Sequence, residues 1–308
     1  MRLFLKYLLF FGIPLIVYFV SFEYYCRNQT FFAIKRNFAI DNFSRFENVF
    51  TGTSHVEKGV MVPAGDLRYL NWAAPGQTFP LEYQLFKRYL GEMSSLKTAF
   101  IEISPVRLFM KLNKDNWASN LYWIHYQIPF EVDIYNPRRN FHFFQDYAFF
   151  KNVVHDAWNP YKHHLEINPN GFAPFDTTGR FYDLGFDTSE IKQTFVMKYN
   201  FVCDNSDVER NKIYLDSTIQ ILNEHNVEVV LVVPPFFNTF NQSIPPHVKK
   251  VWSEWVVQLQ RNDDVKIWDF NQAKYWNVTD FSNDNHLNPK GASKWFQMFE
   301  DSLSQTKR

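Results

Sequence analysis

The stretch Val227-Glu228-Val229-Val230-Leu231-Val232-Val233, stopped by Pro234-Pro235, decides the fold. Five of its seven residues are valine and a single one is charged, so it reads as a strand too apolar to face water on either side. Such a strand belongs inside a mainly parallel sheet with helices on both faces. Its flanks agree. Residues 213–226 carry apolar Ile213, Leu215, Ile219, Ile221 and Leu222 and read as a helix; 248–259 reads as another, and 265–270 as a further strand. Upstream, 46–51, 67–72 and 98–103 read as strands, and Phe79, Tyr83, Phe86 and Leu90 give 79–90 helical spacing.

Strands alternating with helices predict a three-layer α/β/α fold on a mainly parallel five-stranded sheet. The functional groups of such a sheet gather beyond the carboxyl ends of its strands. Ser54, Gly76, Ser104 and Pro234 each follow a strand, and His286 follows the fifth.

The chain has 308 residues, 46% hydrophobic, enough for one substantial core. Lys+Arg and Asp+Glu are both 32, so no bulk field recruits nucleic acid. Aromatic content is 19%, with 34 Phe, 16 Tyr and 9 Trp, and reads as Phe-rich core material that could also stack on sugar rings. Two cysteines, Cys26 and Cys203, make no disulfide framework, and the spacing of His155, His163 and His164 predicts no metal site. No cofactor motif is present in this reading.

Arg2 and Lys6 precede an apolar run, residues 7–22, broken only by Gly12, Pro14 and Ser21. Its length approaches that of a spanning helix, and the basic residues before it put the N-terminus in the cytoplasm and the rest outside, at the periplasm or cell surface. No small-x-small cleavage site follows, which favours an uncleaved anchor. The expected organisation is a transmembrane anchor at 1–26 and an α/β domain at 27–308, with a juxtamembrane connector at 27–44. An insertion over about 110–205 loses the alternation and reads as a cap over the strand ends, with a helical patch near 141–154.

Two segments could do chemistry. The first is Thr51-Gly52-Thr53-Ser54-His55, where Gly52 permits a sharp turn after a strand and exposes the Ser54 hydroxyl. The second is Thr279-Asp280-Phe281-Ser282-Asn283-Asp284-Asn285-His286-Leu287-Asn288-Pro289-Lys290-Gly291-Ala292. It sets His286 in a polar loop before a helix whose N-cap is Asn288 and whose first position is Pro289. A histidine held beside acidic residues suits a general base. Glu102, on a strand, reads as a buried partner for Arg107 or a neighbouring segment, and His55 as pointing away from Ser54.

These segments resemble the SGNH (GDSL-like) hydrolase superfamily, in its membrane-anchored branch associated with bacterial surface-polysaccharide acylation. The likeness covers roughly 45–110 and 205–305. Gly52-Thr53-Ser54-His55 resembles the first block, which implies Ser54 as nucleophile. Asn71-Trp72-Ala73-Ala74-Pro75-Gly76-Gln77 resembles the second, which implies Gly76 N–H, with Ser54 N–H, as the oxyanion hole. His286-Leu287-Asn288-Pro289-Lys290-Gly291-Ala292 matches the last block, which implies His286 as the base.

Two positions depart from that pattern. Three residues before His286, where the family carries Asp, stands Asn283; either Asn283 orients the imidazole through its amide oxygen or Asp284 takes the role through a shifted loop. The third block lacks its Asn and reads Ile101-Glu102-Ile103-Ser104-Pro105-Val106-Arg107, so Ser104 or Arg107 stands in as oxyanion donor, or the hole keeps only Ser54 and Gly76.

The resemblance implies an extracytoplasmic serine esterase or O-acyltransferase acting on acyl esters of a surface glycan. The membrane acyltransferases of such systems are its implied partners. The alternative expectation is a non-catalytic, membrane-tethered glycan-binding or assembly protein that keeps the fold. The distance between Ser54 Oγ and His286 separates the two.

Overall fold

A computed structural model describes residues 2–111, 117–129, 135–144, 168–173, 179–191 and 205–306. The expected strands form, each shortened at its ends: β1 (Asn48–Thr51), β2 (Tyr69–Asn71), β3 (Thr98–Glu102), β4 (Glu228–Val233) and β5 (Val265–Asp269). All pair in parallel, in the order β2-β1-β3-β4-β5. The helices are α1 (Arg2–Asn28), α2 (Phe31–Asn42), α3 (Ser54–Glu57), α4 (Phe79–Tyr89), α5 (Pro105–Leu108), α6 (Trp117–Tyr126), α7 (Arg180–Asp183), α8 (Asn205–Glu224), α9 (Asn238–Ser243), α10 (Pro246–Leu259) and α11 (Pro289–Thr306).

The central strands are apolar because both faces are covered. From Val229 onward β4 is entirely buried, as are β1 and β3, whereas the edge strand β5 is only partly so. The register aligns Phe50, Phe100 and Val230 on one face. There Phe50 and Phe100 stack at 4.7 Å, and Phe299 of α11 meets both edge-on at 4.9 and 5.2 Å. Helix α11 thus seals this face with Trp295, Phe296 and Phe299, all buried. Helices α4 and α8 pack on each other, and α8 lies against β4.

The chain forms two compact units, Met1–Asn37 with Lys114–Glu166, and Phe38–Asn113 with Ile167–Arg308. In the first, α1 is longer than the 7–22 run: Lys6–Asn28 contains an 18-residue window of mean hydropathy 1.7 and is long and apolar enough to cross a membrane. Phe10, Phe11, Leu15 and Ile16 are well exposed on it. At its far end Glu23 accepts from Phe143 N–H at 2.7 Å and pairs with His142 Nδ1 at 3.3 Å, and His142 Nε2 lies 3.0 Å from His125 Nε2. Phe19 packs on Phe141 and Phe143 at 5.4 and 5.3 Å.

The connector at 27–44 is helical, forming α2 and a 3-10 turn at Phe43–Arg45. Described residues of the first part of the insertion group with α1, through an aromatic cluster and a buried carboxylate, while 168–173 and 179–191 belong to the sheet unit. Asn170 is fully buried there and binds Gly65 N–H, Asp66 C=O and Tyr69 C=O. Of the helical patch at 141–154, residues His142–Phe144 form a 3-10 turn and the rest lies outside the described residues. Cys26 is a free, buried thiol; Cys203, His155, His163 and His164 lie outside the described residues.

Candidate active site

The strand order reverses between β1 and β3, the switch point at which open α/β sheets hold their ligands. The chain leaves β1 through Gly52, whose φ of 151° lies outside the range comfortable for side chains. A Cβ there would stand 2.6 Å from both Cβ and Oε2 of Glu102, so only glycine lets the turn pass so close to β3. Thr53 then caps α3, its hydroxyl accepting from His55 N–H at 3.3 Å. Ser54 becomes the first helical residue, with its side chain partly exposed.

The histidine loop is shaped by its own polar groups. Asn288 caps α11 as expected, accepting from Gly291 N–H at 3.0 Å, and its amide donates to Thr279 C=O at 2.8 Å. Asp280 closes a capping box with Asn277 and binds Lys294 at 2.9 Å and Lys290 at 3.3 Å. Its carboxyl stays low: burial opposes ionisation, but the Asn277 N–H and the two ammonium groups outweigh it. Phe281 bridges Leu287 across the loop, and Ser282 N–H donates to the His286 carbonyl at 2.9 Å.

This folding brings Ser54 Oγ to 2.9 Å from His286 Nε2. On the far side of the ring, Nδ1 lies 3.2 Å from Asn283 Oδ1, and the same oxygen accepts from His286 N–H at 2.9 Å. An amide oxygen can only accept, so Nδ1 carries the proton and Nε2 is left to accept from Ser54. Burial, then the neighbouring His55 and Lys58, holds the His286 pKa well below its ordinary value. The ring is therefore neutral at neutral pH, the form a base requires.

Asn283 thus stands where the orienting group is needed. Asp284 is buried, its carbonyl accepting from Phe237 N–H at 3.0 Å. The second block forms a turn at 74–77 docked on the Gly52 turn: Ala74 N–H donates to Gly52 C=O at 3.0 Å, and Gln77 Oε1 accepts from Gly52 and Ala74 N–H at 3.2 Å each. Gly76, at φ 69°, sits at the bend of that turn, partly exposed. Among the described residues, neither Ser54 N–H nor Gly76 N–H donates to a protein acceptor.

The suggested stand-ins for the third-block Asn are both engaged elsewhere. Arg107 is fully buried, with its guanidinium on Glu82 at 2.7 Å, Glu102 C=O at 2.8 Å and Gln77 C=O at 3.3 Å, and over the Phe79 ring at 4.1 Å. Ser104 Oγ donates to Glu102 Oε1 at 2.6 Å and caps α5. Each is held by a permanently present buried carboxylate, which would be left without that partner if the group turned toward an oxyanion.

The residue that sequence reasoning undervalued is Glu102. Completely buried, its Oε2 accepts from Thr53 N–H at 2.6 Å and Thr53 Oγ1 at 2.8 Å, and its Oε1 faces His55 Nδ1 at 3.0 Å. Burial pushes its carboxyl up, but the His55 imidazole, Arg107 and the Ser104 hydroxyl together bring it down to about 2. The signal available in the sequence was one acid inside an otherwise apolar strand. His55 does point inward, away from Ser54, yet its ring lies 5.2 Å from that of His286.

A model of a family described only as a protein of unknown function (DUF1574) matches residues 180–298, a span that contains His286 and Asn283 but not Ser54. No curated protein matches the chain.

Proposed function

We propose that this protein is an extracytoplasmic serine esterase or O-acyltransferase of SGNH type, acting on acyl esters of a surface glycan. The observation that carries this reading is the 2.9 Å contact between Ser54 Oγ and His286 Nε2, with both side chains partly exposed. A serine hydroxyl and a neutral imidazole at this distance, open to a reactant, form an activated nucleophile.

Ser54 Oγ attacks the ester carbonyl as its proton passes to His286 Nε2. The N–H groups of Ser54 and Gly76 receive the oxyanion. His286 then returns the proton to the departing alcohol, leaving an acyl-serine. Water resolves it in hydrolysis and a sugar hydroxyl in transfer; both routes use the same residues. Asn283 keeps the proton on Nδ1 throughout. Helix α1 would hold the domain at the membrane, with Lys6 on the cytoplasmic side and a membrane acyltransferase as a fitting donor partner.

The second reading, a non-catalytic glycan-binding protein, is favoured by one observation: Asn283 offers no negative charge to an imidazolium. A phosphonofluoridate serine probe applied to the full-length protein in detergent separates the two. Catalysis requires labelling that Ser54→Ala abolishes and His286→Ala severely slows. No labelling, or labelling indifferent to both substitutions, leaves the binding protein.

A further inference from the structure

We propose that Glu102, acting through His55, is the positioning pair that supplies His286 with the negative charge absent at Asn283. The proposal rests on Ser54 and His286 forming the reactive pair.

The geometry is that of a second relay laid against the first. Glu102 Oε1 lies 3.0 Å from His55 Nδ1, and the His55 ring is tilted 37° to the His286 ring with centroids 5.2 Å apart. At its other edge His55 Nε2 faces the Asn285 amide nitrogen at 3.4 Å. An amide N–H donates, so Nε2 accepts, and the single ring proton of His55 sits on Nδ1 toward the carboxylate. His55 is then neutral, Glu102 is ionised, and together they carry one negative charge beside His286. Phe236 fixes the ring from a third side, edge-on at 4.9 Å.

Three further contacts hold the carboxylate: Thr53 N–H, Thr53 Oγ1 and Ser104 Oγ. These are more donors than a structural ion pair needs, and all come from the turns after β1 and β3 at the switch point. Two of them belong to Thr53, the residue preceding the nucleophile, so one acid both shapes the Ser54 turn and lies behind the base. Neither Glu102 nor His55 is placed to touch substrate: they are 0% and 6% exposed.

The sign of the effect depends on where the His55 proton lies. Repulsion from His55 that, like that of Lys58, lowers the His286 pKa belongs to a doubly protonated His55 ring, a state that the Asn285 amide facing Nε2 disfavours. The other ionisable groups at this corner include Arg107, whose positive charge lowers the Glu102 carboxyl and is offset by its ion pair with Glu82, and the buried Glu57 on α3 and Asp284 in the histidine loop. With His55 singly protonated, the pair stabilises the imidazolium formed as Ser54 loses its proton.

The test is the pH dependence of serine-probe labelling in the full-length protein. The wild-type rate falls on the acid side as His286 protonates. Glu102→Gln removes the charge and keeps the shape; the acid limb is expected to move to lower pH by about one unit, with the plateau rate reduced about tenfold or more. Ser104→Ala removes a hydrogen bond to the same carboxylate without removing charge, and the limb is expected to stay in place. A purely structural Glu102 would lower the plateau in both variants and move the limb in neither. Should Glu102→Gln not fold alone, the double variant Glu102→Gln with His55→Phe, which removes the charge and its hydrogen-bond partner and keeps ring packing on Phe236, must give the same acid-ward shift.

A limb that stays fixed or moves to higher pH in these variants overturns the proposal while leaving the Ser54–His286 reading intact. Absence of Ser54-specific labelling in the wild type removes both.

Discussion

Asn283 Oδ1 lies 3.2 Å from His286 Nδ1 and 2.9 Å from the His286 main-chain nitrogen, so one amide oxygen fixes both the ring and the backbone that carries it. The arrangement selects the tautomer that Ser54 needs, and does so without charge.

Asn283→Asp should therefore preserve the geometry and add the charge. The acid limb of serine-probe labelling is expected to move to higher pH by about one unit or more, and the plateau rate to rise about tenfold. An unchanged pH profile in this variant would show that the ring is not governed from position 283.

Gly52→Ala tests the turn. The added methyl would enter the space held by Glu102, at a positive φ, and both effects are unfavourable. A loss of about 2 kcal/mol or more is expected from strain and overpacking, together with loss of labelling because Ser54 is displaced. A melting temperature and labelling rate equal to wild type would refute the close approach of β1 and β3 described for this turn.

Arg107→Met tests the buried ion pair with Glu82, both partners of which are inaccessible. Removing one charge leaves the other buried and uncompensated, at a cost of about 3–5 kcal/mol. Arg107→Met combined with Glu82→Leu is expected to recover much of that loss. Denaturation midpoints that add simply across the double-mutant cycle would exclude the coupling.

Stability should also depend on pH through two histidines. Burial depresses the pKa of His286 and, with the charge of His142 and two arginines, that of His125. Unfolded histidine titrates near about 6.5, so their contribution is complete above that value and is lost as pH falls below it, where the unfolded chain takes up protons that the folded chain refuses. Glu102 has the carboxylate sign: held at about 2, its contribution is present above the unfolded carboxylate range and is lost as pH falls toward 2. The melting temperature should decline between pH 7 and pH 5, and His286→Gln should flatten part of that decline. A flat wild-type profile over this range would contradict it.

The sheet was legible because its cause is local. A run such as 227–233 can be stable only where both faces are covered, and its neighbours alternate at helical and strand periods, so the parallel α/β architecture follows from pattern alone. The start of α11 was legible for the same reason, since Asn288 and Pro289 act on the backbone within one turn. The insertion was not. Its first part answers to α1, more than ninety positions earlier, through Phe19, Glu23 and their partners, and no local period records such a pairing.

In the site, local turn context pointed to Ser54 and His286, and Asn283 was named by the resemblance of the histidine block, three residues before the base. What each of them faces was decided by the fold. Ser54 and His286 are 232 positions apart, and only the order β2-β1-β3-β4-β5 brings their loops to one switch point. Arg107 and Ser104 looked free to serve an oxyanion, yet in the fold buried carboxylates claim them. Glu102, one acid in an apolar strand, gains its meaning entirely from the turn that crosses it. Sequence sets which groups are available and which backbone they bend; desolvation inside the packed sheet decides which of those groups must find one another.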